Sequence, residues 1–202
     1  MKHLLIILTG LAIITGACQP KKLPILGERE FINGDSVYHT IPDFQLVDQD
    51  SNLVTNKTYE NKIYVADFFF TTCPTICPIM KTQMLRIYDK FKDNPEVGIL
   101  SHTIDPRHDT VAVLKAYARR LGVSGNFWHF VTGDKKTIYE LGQKEYMVTA
   151  NEDSAAAGGY IHSGAFLLVD KKRRIRGQYD GTKEDQVSRL MKDMEVLLKE
   201  KE

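Results

Sequence analysis

The chain has 202 residues, 43% hydrophobic and 26% charged, which supports a buried core and excludes a disordered polymer. Its 27 Lys and Arg against 26 Asp and Glu leave a net charge of +1, which argues against a protein built to bind nucleic-acid phosphate. The cysteines Cys18, Cys73 and Cys77 are too few for a disulfide-rich scaffold or for two structural zinc sites.

Residues 1–17 place one Lys before a Leu- and Ile-rich run that ends in Thr15, Gly16 and Ala17, directly ahead of Cys18. The run is shorter than the roughly 20 residues needed to span a bilayer, so it reads as an export signal. A Cys after small residues is similar to a bacterial lipoprotein processing site, where Cys18 would become the lipidated N-terminus. Thr15 stands where such sites usually carry a bulky aliphatic. Plain cleavage with Cys18 a bystander, and retention of the segment as an anchor, compete with lipidation. All three hold the domain beside a membrane, in the cell envelope and facing the periplasm. Residues 18–40 contain Pro20, Pro24, Gly27 and Gly34 without a sustained period and read as a tether to a domain over 41–202.

Within that domain, Phe44, Leu46, Leu53 and Val54 flank a polar turn and predict a hairpin. Residues 63–70, IYVADFFF, predict a central strand covered on both faces. Helical spacing from Thr75 to Lys92 is followed by a strand over 97–104, then by a helix capped by Asp109 or Thr110 and ended by Gly122. A strand over 126–132, a short helix from Asp134 to Leu141, a strand over 161–170 and its partner over 175–179 come next. Thr182 is expected to cap a last helix carrying Val187, Leu190, Met191, Met194, Leu197 and Leu198. Residues 150–159, small and polar, are expected to be mobile. Alternating strands and helices define an α/β sandwich, and Cys73 and Cys77 follow the carboxyl end of its central strand, where open α/β sheets bind ligands.

Pro78 is tolerated in the first turn of a helix, which places Cys77 in that turn, where unpaired N–H groups favour a thiolate. Two thiols four residues apart can close a disulfide or grip one soft ion, and an isolated pair lacks the four cysteines usual for an iron–sulfur cluster. A firm metal site needs a third ligand. On spacing alone His162, which follows the small-residue stretch, is no better a candidate than His102.

The segments Phe70-Thr71-Thr72-Cys73-Pro74-Thr75-Ile76-Cys77-Pro78, Asp105-Pro106-Arg107-His108-Asp109-Thr110, and His162-Ser163 followed by Leu168-Val169-Asp170 resemble, in this order, the Sco/SenC family. The likeness covers about residues 41–198. It implies a thioredoxin-like fold with a central sheet flanked by helices and an N-terminal hairpin. It also implies a membrane-tethered copper chaperone that holds one copper, as Cu(I) or Cu(II), through Cys73, Cys77 and His162. Such a protein assists assembly of the dinuclear copper centre of cytochrome c oxidase, so its partners would be the copper-bearing oxidase subunit, a copper donor and a thiol reductant. Asp105 matches a family acid beside the site. Ile161 departs from the family, which often has an acid before the metal His, and Lys171-Lys172-Arg173-Arg174 replaces a turn that usually contains Gly.

The chemistry agrees with this resemblance: two thiolates satisfy Cu(I), an added imidazole suits Cu(II), and a disulfide cannot ligate as a dithiolate, so loading and oxidation exclude one another. The rival is a thiol-disulfide oxidoreductase without metal. Its usual motif has two residues between the cysteines rather than three, and no proline near His162 matches its cis-proline. A peroxiredoxin-like peroxidase lacks its upstream proline, and a zinc module fits on ligand count alone. Met80 and Met84 read as core, Asp67 as an acid paired to a Lys or a proton acceptor for the dithiol, and His102, His108 and His129 as structural. The basic turn reads as solvated, against a docking patch for an acidic partner.

Overall fold

The computed structural model, which describes residues 22–200, opens with two short strands, β1 (Arg29–Ile32) and β2 (Asp35–Tyr38), paired only with each other. The segment expected to be a tether is therefore partly folded. Its beginning is also packed: Leu23 is buried, the Leu26 N–H donates to the Ile175 carbonyl at 2.8 Å, and the Arg176 guanidinium donates to the Leu23 and Pro24 carbonyls. Because both strands are largely exposed, no apolar alternation marks them in the sequence. The proposed export signal and Cys18 lie outside the described residues. Among the described residues no helix is long and apolar enough to cross a membrane.

The expected hairpin forms as β3 (Gln45–Asp48) and β4 (Leu53–Thr55). Two parallel strand–helix–strand units follow: β5 (Ile63–Phe69), α1 (Cys77–Phe91), β6 (Val97–Thr103), α2 (Val111–Arg120) and β7 (Trp128–Thr132). Then come α3 (Lys135–Glu140), a π-turn to Glu145, β8 (Ala150–Glu152), β9 (Tyr160–His162), β10 (Ala165–Val169), β11 (Ile175–Asp180) and α4 (Glu184–Lys199). The main sheet runs β11-β10-β5-β6-β7-β3-β4, with β5 interior and β6 in the middle. All seven residues of β5 are buried, as a strand covered on both faces requires.

Alternation along β5 sorts the two layers. Tyr64 and Phe68 meet Tyr146 and His102, with the Phe68 and His102 rings stacked at 4.6 Å. Asp67 and Phe69 face the other way, toward Lys81 of α1 and Tyr117 of α2. Met80 and Met84 are fully buried core residues, as read from their spacing.

Three local expectations need correction. The strand expected over 161–170 breaks at Ser163-Gly164, so β9 leaves the main sheet and pairs with β8, which starts the small and polar stretch 150–159. Thr110 sits at the start of α2 without a side-chain cap bond, because Asp109 turns inward to other partners. Lys183, not Thr182, precedes α4, since the Thr182 hydroxyl is drawn to Asp180 at 2.6 Å. The basic turn keeps its expected reading: Lys171 pairs with Glu96, Arg173 with Asp43 and Arg174 with Asp170, which favours a solvated turn.

Candidate metal centre

β5 ends at Phe69 and the chain turns through Thr71 to Ile76 before α1 begins at Cys77, two residues later than the sequence pattern suggests. Ile76 offers no side-chain cap, and Pro78 fills the first turn, where its missing N–H forfeits no helical bond. The turn is pinned from below by Asp109. Its carboxylate accepts the Thr71 N–H at 3.0 Å, the Thr71 hydroxyl, and the Thr103 hydroxyl at 2.5 Å, and so ties the ends of β5 and β6 together. The sequence offers Asp109 or Thr110 as the helix cap; the missed signal is a threonine at or just past the carboxyl end of each of two adjacent strands.

His162 closes β9 and reaches the cysteine turn from the opposite side. Its Nδ1 lies 3.2 Å from the Ser163 carbonyl, which can only accept, so Nδ1 carries the proton and the Nε2 lone pair faces the sulfurs. Nε2 is 3.0 Å from Cys77 Sγ and 3.8 Å from Cys73 Sγ. The ligand atoms of Cys73, Cys77 and His162 all lie within 4.8 Å of one another, and all three residues are buried. The Phe70 ring meets the imidazole edge-on at 5.7 Å and holds its plane.

The two thiols differ. Burial alone would raise Cys73, but N–H groups of Thr75 and Cys77, with the Cys77 thiol and Thr75 hydroxyl, outweigh it and bring its pKa below the ordinary value. Burial dominates at Cys77 and pushes its thiol far up, against the pull of the Lys81 charge. The thiolate favoured by the N–H groups at the helix start is thus on Cys73, not on Cys77 as the helix position suggests, because those groups point back into the turn. Burial likewise lowers the His162 pKa and keeps the imidazole neutral, the form in which nitrogen can ligate.

Asp105 does not join the three. Its N–H donates to Thr103 Oγ1 at 3.0 Å and its carboxylate accepts the His108 N–H, while its charge adds to burial in raising the pKa of Tyr160, whose ring packs 5.1 Å from Phe70. His102 and His129 are buried elsewhere, and His129 pairs with Asp48 at 2.8 Å. His108 is exposed.

A family model described as SCO1/SenC matches residues 33–199. The chain belongs to the SCO1/SenC family. A SCO1/SenC family lipoprotein from Bacillus anthracis superposes with a TM-score of 0.72 at 26% identity, covering 79% of this chain and 95% of that one. BsSco, described as a member of the Sco family of cytochrome c oxidase assembly proteins with a disulfide switch, gives 0.71 at 27% identity, covering 81% and 95%. The "Putative copper-binding protein" of Stutzerimonas stutzeri is 28% identical over 144 residues, 68% of this chain and 67% of that protein. The fold is accordingly the thioredoxin-like α/β sandwich of Sco structures, with a seven-stranded sheet.

Proposed function

We propose that this SCO1/SenC protein is a membrane-tethered copper chaperone that binds one copper through Cys73, Cys77 and His162 and serves assembly of the dinuclear copper centre of cytochrome c oxidase. The observation that carries this reading is the convergence of two sulfurs and one imidazole nitrogen within 4.8 Å, from segments 85 residues apart. The donor set suits the cargo: thiolates are soft and select Cu(I), and a neutral imidazole adds the nitrogen that Cu(II) prefers. The oxidase connection and copper binding are supported by what is said of BsSco and of the Stutzerimonas protein.

The same sulfurs supply a second reading, a thiol-disulfide exchange with the target, favoured by the lowered Cys73 thiol. Asp105 is taken to steady Tyr160 and β9 without ligating. Residues 1–17 are taken as the export signal and Cys18 as the lipid attachment, in keeping with the lipoprotein relative. From Cys18 to the packed Leu23 the chain spans at most about 18 Å, so the domain would ride close to the membrane. Leu26 docks on Ile175, at the end of the sheet where β5 begins, which turns the metal centre outward from that surface.

The test is copper titration of the reduced protein beside Cys73→Ala, Cys77→Ala and His162→Ala. One equivalent per chain, lost with either cysteine and stripped of its thiolate-to-Cu(II) absorption with His162→Ala, is expected. Copper binding indifferent to His162 would overturn the ligand set; robust disulfide reduction with no copper retention would favour the metal-free oxidoreductase.

A further inference from the structure

His162 covers one side of the two sulfurs, and a groove of about 290 Å³ reaches both of them from another, between α1 and the end of α2. Thr82 and Leu85 of α1 and Tyr117 and Arg120 of α2 wall it. No Asp or Glu lines it, and its two cations are unlike. Lys81 is neutralised by Asp67 at 2.6 Å, whereas the exposed Arg120 makes no ion pair among the described residues and instead lies 5.0 Å over the Tyr117 ring. A cleft with an apolar wall, an uncompensated guanidinium and two sulfurs at its floor recognises a chain segment that is partly apolar, anionic and sulfur-bearing.

We propose that this groove seats a thiol-bearing segment of the partner protein, with Arg120 pairing a carboxylate beside the partner's cysteine. The proposal rests on the dithiol reading above and names the side from which exchange takes place. His162 stays in position while the partner sulfur approaches Cys73, the more exposed of the two cysteines at 8% against 2%.

The test is metal-free. Reduced protein is mixed with short cysteine peptides activated as mixed disulfides with 5-thio-2-nitrobenzoate, the cysteine flanked by Glu, by Lys or by Ser. The Cys73 thiolate attacks the peptide sulfur; its bond to the aryl sulfur breaks and the coloured aryl thiolate leaves with the electron pair. Cys77 then displaces the peptide thiol, which takes the Cys77 proton, and the Cys73–Cys77 disulfide closes with two electrons passed to the mixed disulfide. The Glu peptide is expected to react at least about tenfold faster than the Lys peptide at low salt. Arg120→Glu should invert that order, Arg120→Lys should keep it, and Thr82→Trp, which fills the groove, should slow all three peptides. An unchanged Glu-to-Lys ratio in Arg120→Glu, or an unslowed Thr82→Trp, overturns the proposal. Copper stoichiometry of Arg120→Glu should stay at one per chain, so loss of copper binding by the parent protein would count against the chaperone reading and not against the groove.

Discussion

Lys81 Nζ lies 2.6 Å from Asp67 Oδ2, one helical turn beyond Cys77, and both side chains are almost fully buried. The second Asp67 oxygen accepts the Ser101 hydroxyl, which in turn accepts the Trp128 indole N–H at 2.9 Å. The ammonium sits 4.1 Å from the Phe69 ring centroid. Of the two readings of Asp67 made from sequence, pairing to a Lys is the one found, but deep in the layer beneath the dithiol.

A buried pair contributes little net stability when whole and a large penalty when halved, since the survivor is an uncompensated charge in a poorly polarisable surrounding. Lys81→Met is therefore expected to lower unfolding stability by about 3–5 kcal/mol. The double variant Lys81→Met with Asp67→Asn should recover most of that loss. Urea denaturation of the reduced protein measures both; a double variant as unstable as the single one would refute the account.

Acid should destabilise the fold through His102. Desolvation at this fully buried ring, only partly offset by the Asp67 carbonyl, lowers its pKa from 6.5 to about 4. Nδ1 donates to that carbonyl, and Nε2 is buried with no hydrogen-bond partner among the described residues. Between those two values the unfolded chain binds a proton that the folded one refuses, so stability is intact above pH 6.5 and falls as pH drops toward 4. The full interval corresponds to roughly 3 kcal/mol. His102→Leu should flatten this part of the stability–pH curve, measured by thermal melts from pH 4 to 7; an unchanged slope would assign the acid loss elsewhere.

The order of strands and helices could be read from sequence because buried strands such as Ile63–Phe69 and helix faces such as Val187, Leu190 and Met194 impose their periods directly. What stayed hidden depended on partners distant in the chain. The threonines that Asp109 serves lie at or just past the ends of two other elements, so its own segment shows only a cap position, and the Ser163-Gly164 pair is a turn signal masked by the apolar residues on either side of it. His162 shows the same limit: its spacing to the cysteines carries no information, and only the family resemblance singled it out from His102. The polarity between the two thiols was legible only in part, since a helix start is visible in Pro78 but the direction of its N–H groups is not.

Asp109 should matter to the metal centre although it touches no ligand. With its carboxylate gone, the Thr71 N–H and the hydroxyls of Thr71 and Thr103 lose their common acceptor just ahead of Cys73. Asp109→Ala is expected to weaken copper affinity by about 10–100-fold, the range found when groups that orient metal ligands are removed. Asp109→Asn, which retains one acceptor oxygen, should lie between Ala and the parent. Competition with a chromophoric copper chelator reads the ratio; equal affinities in all three proteins would show that the turn holds its shape without Asp109.

The hairpin that delivers His162 rests on a glycine with no room for a side chain. Gly158 has φ +81°, and a Cβ there would stand 2.9 Å from Phe70 Cε2 and 3.2 Å from Pro74 Cδ, atoms of the turn that carries Cys73. Its neighbour Gly159 has φ +82° with nothing within 4 Å of the same position. Alanine at either site meets the same left-handed backbone strain, on the order of 1–2 kcal/mol, so the difference between the two variants isolates the clash. Gly158→Ala is expected to lift β9 off Phe70 and move the imidazole from the sulfurs, which should cut the thiolate-to-Cu(II) absorption while the two cysteines still take up one Cu(I). Gly159→Ala should keep that absorption. If both variants bind Cu(II) alike, contact between this hairpin and Phe70 does not govern where His162 sits.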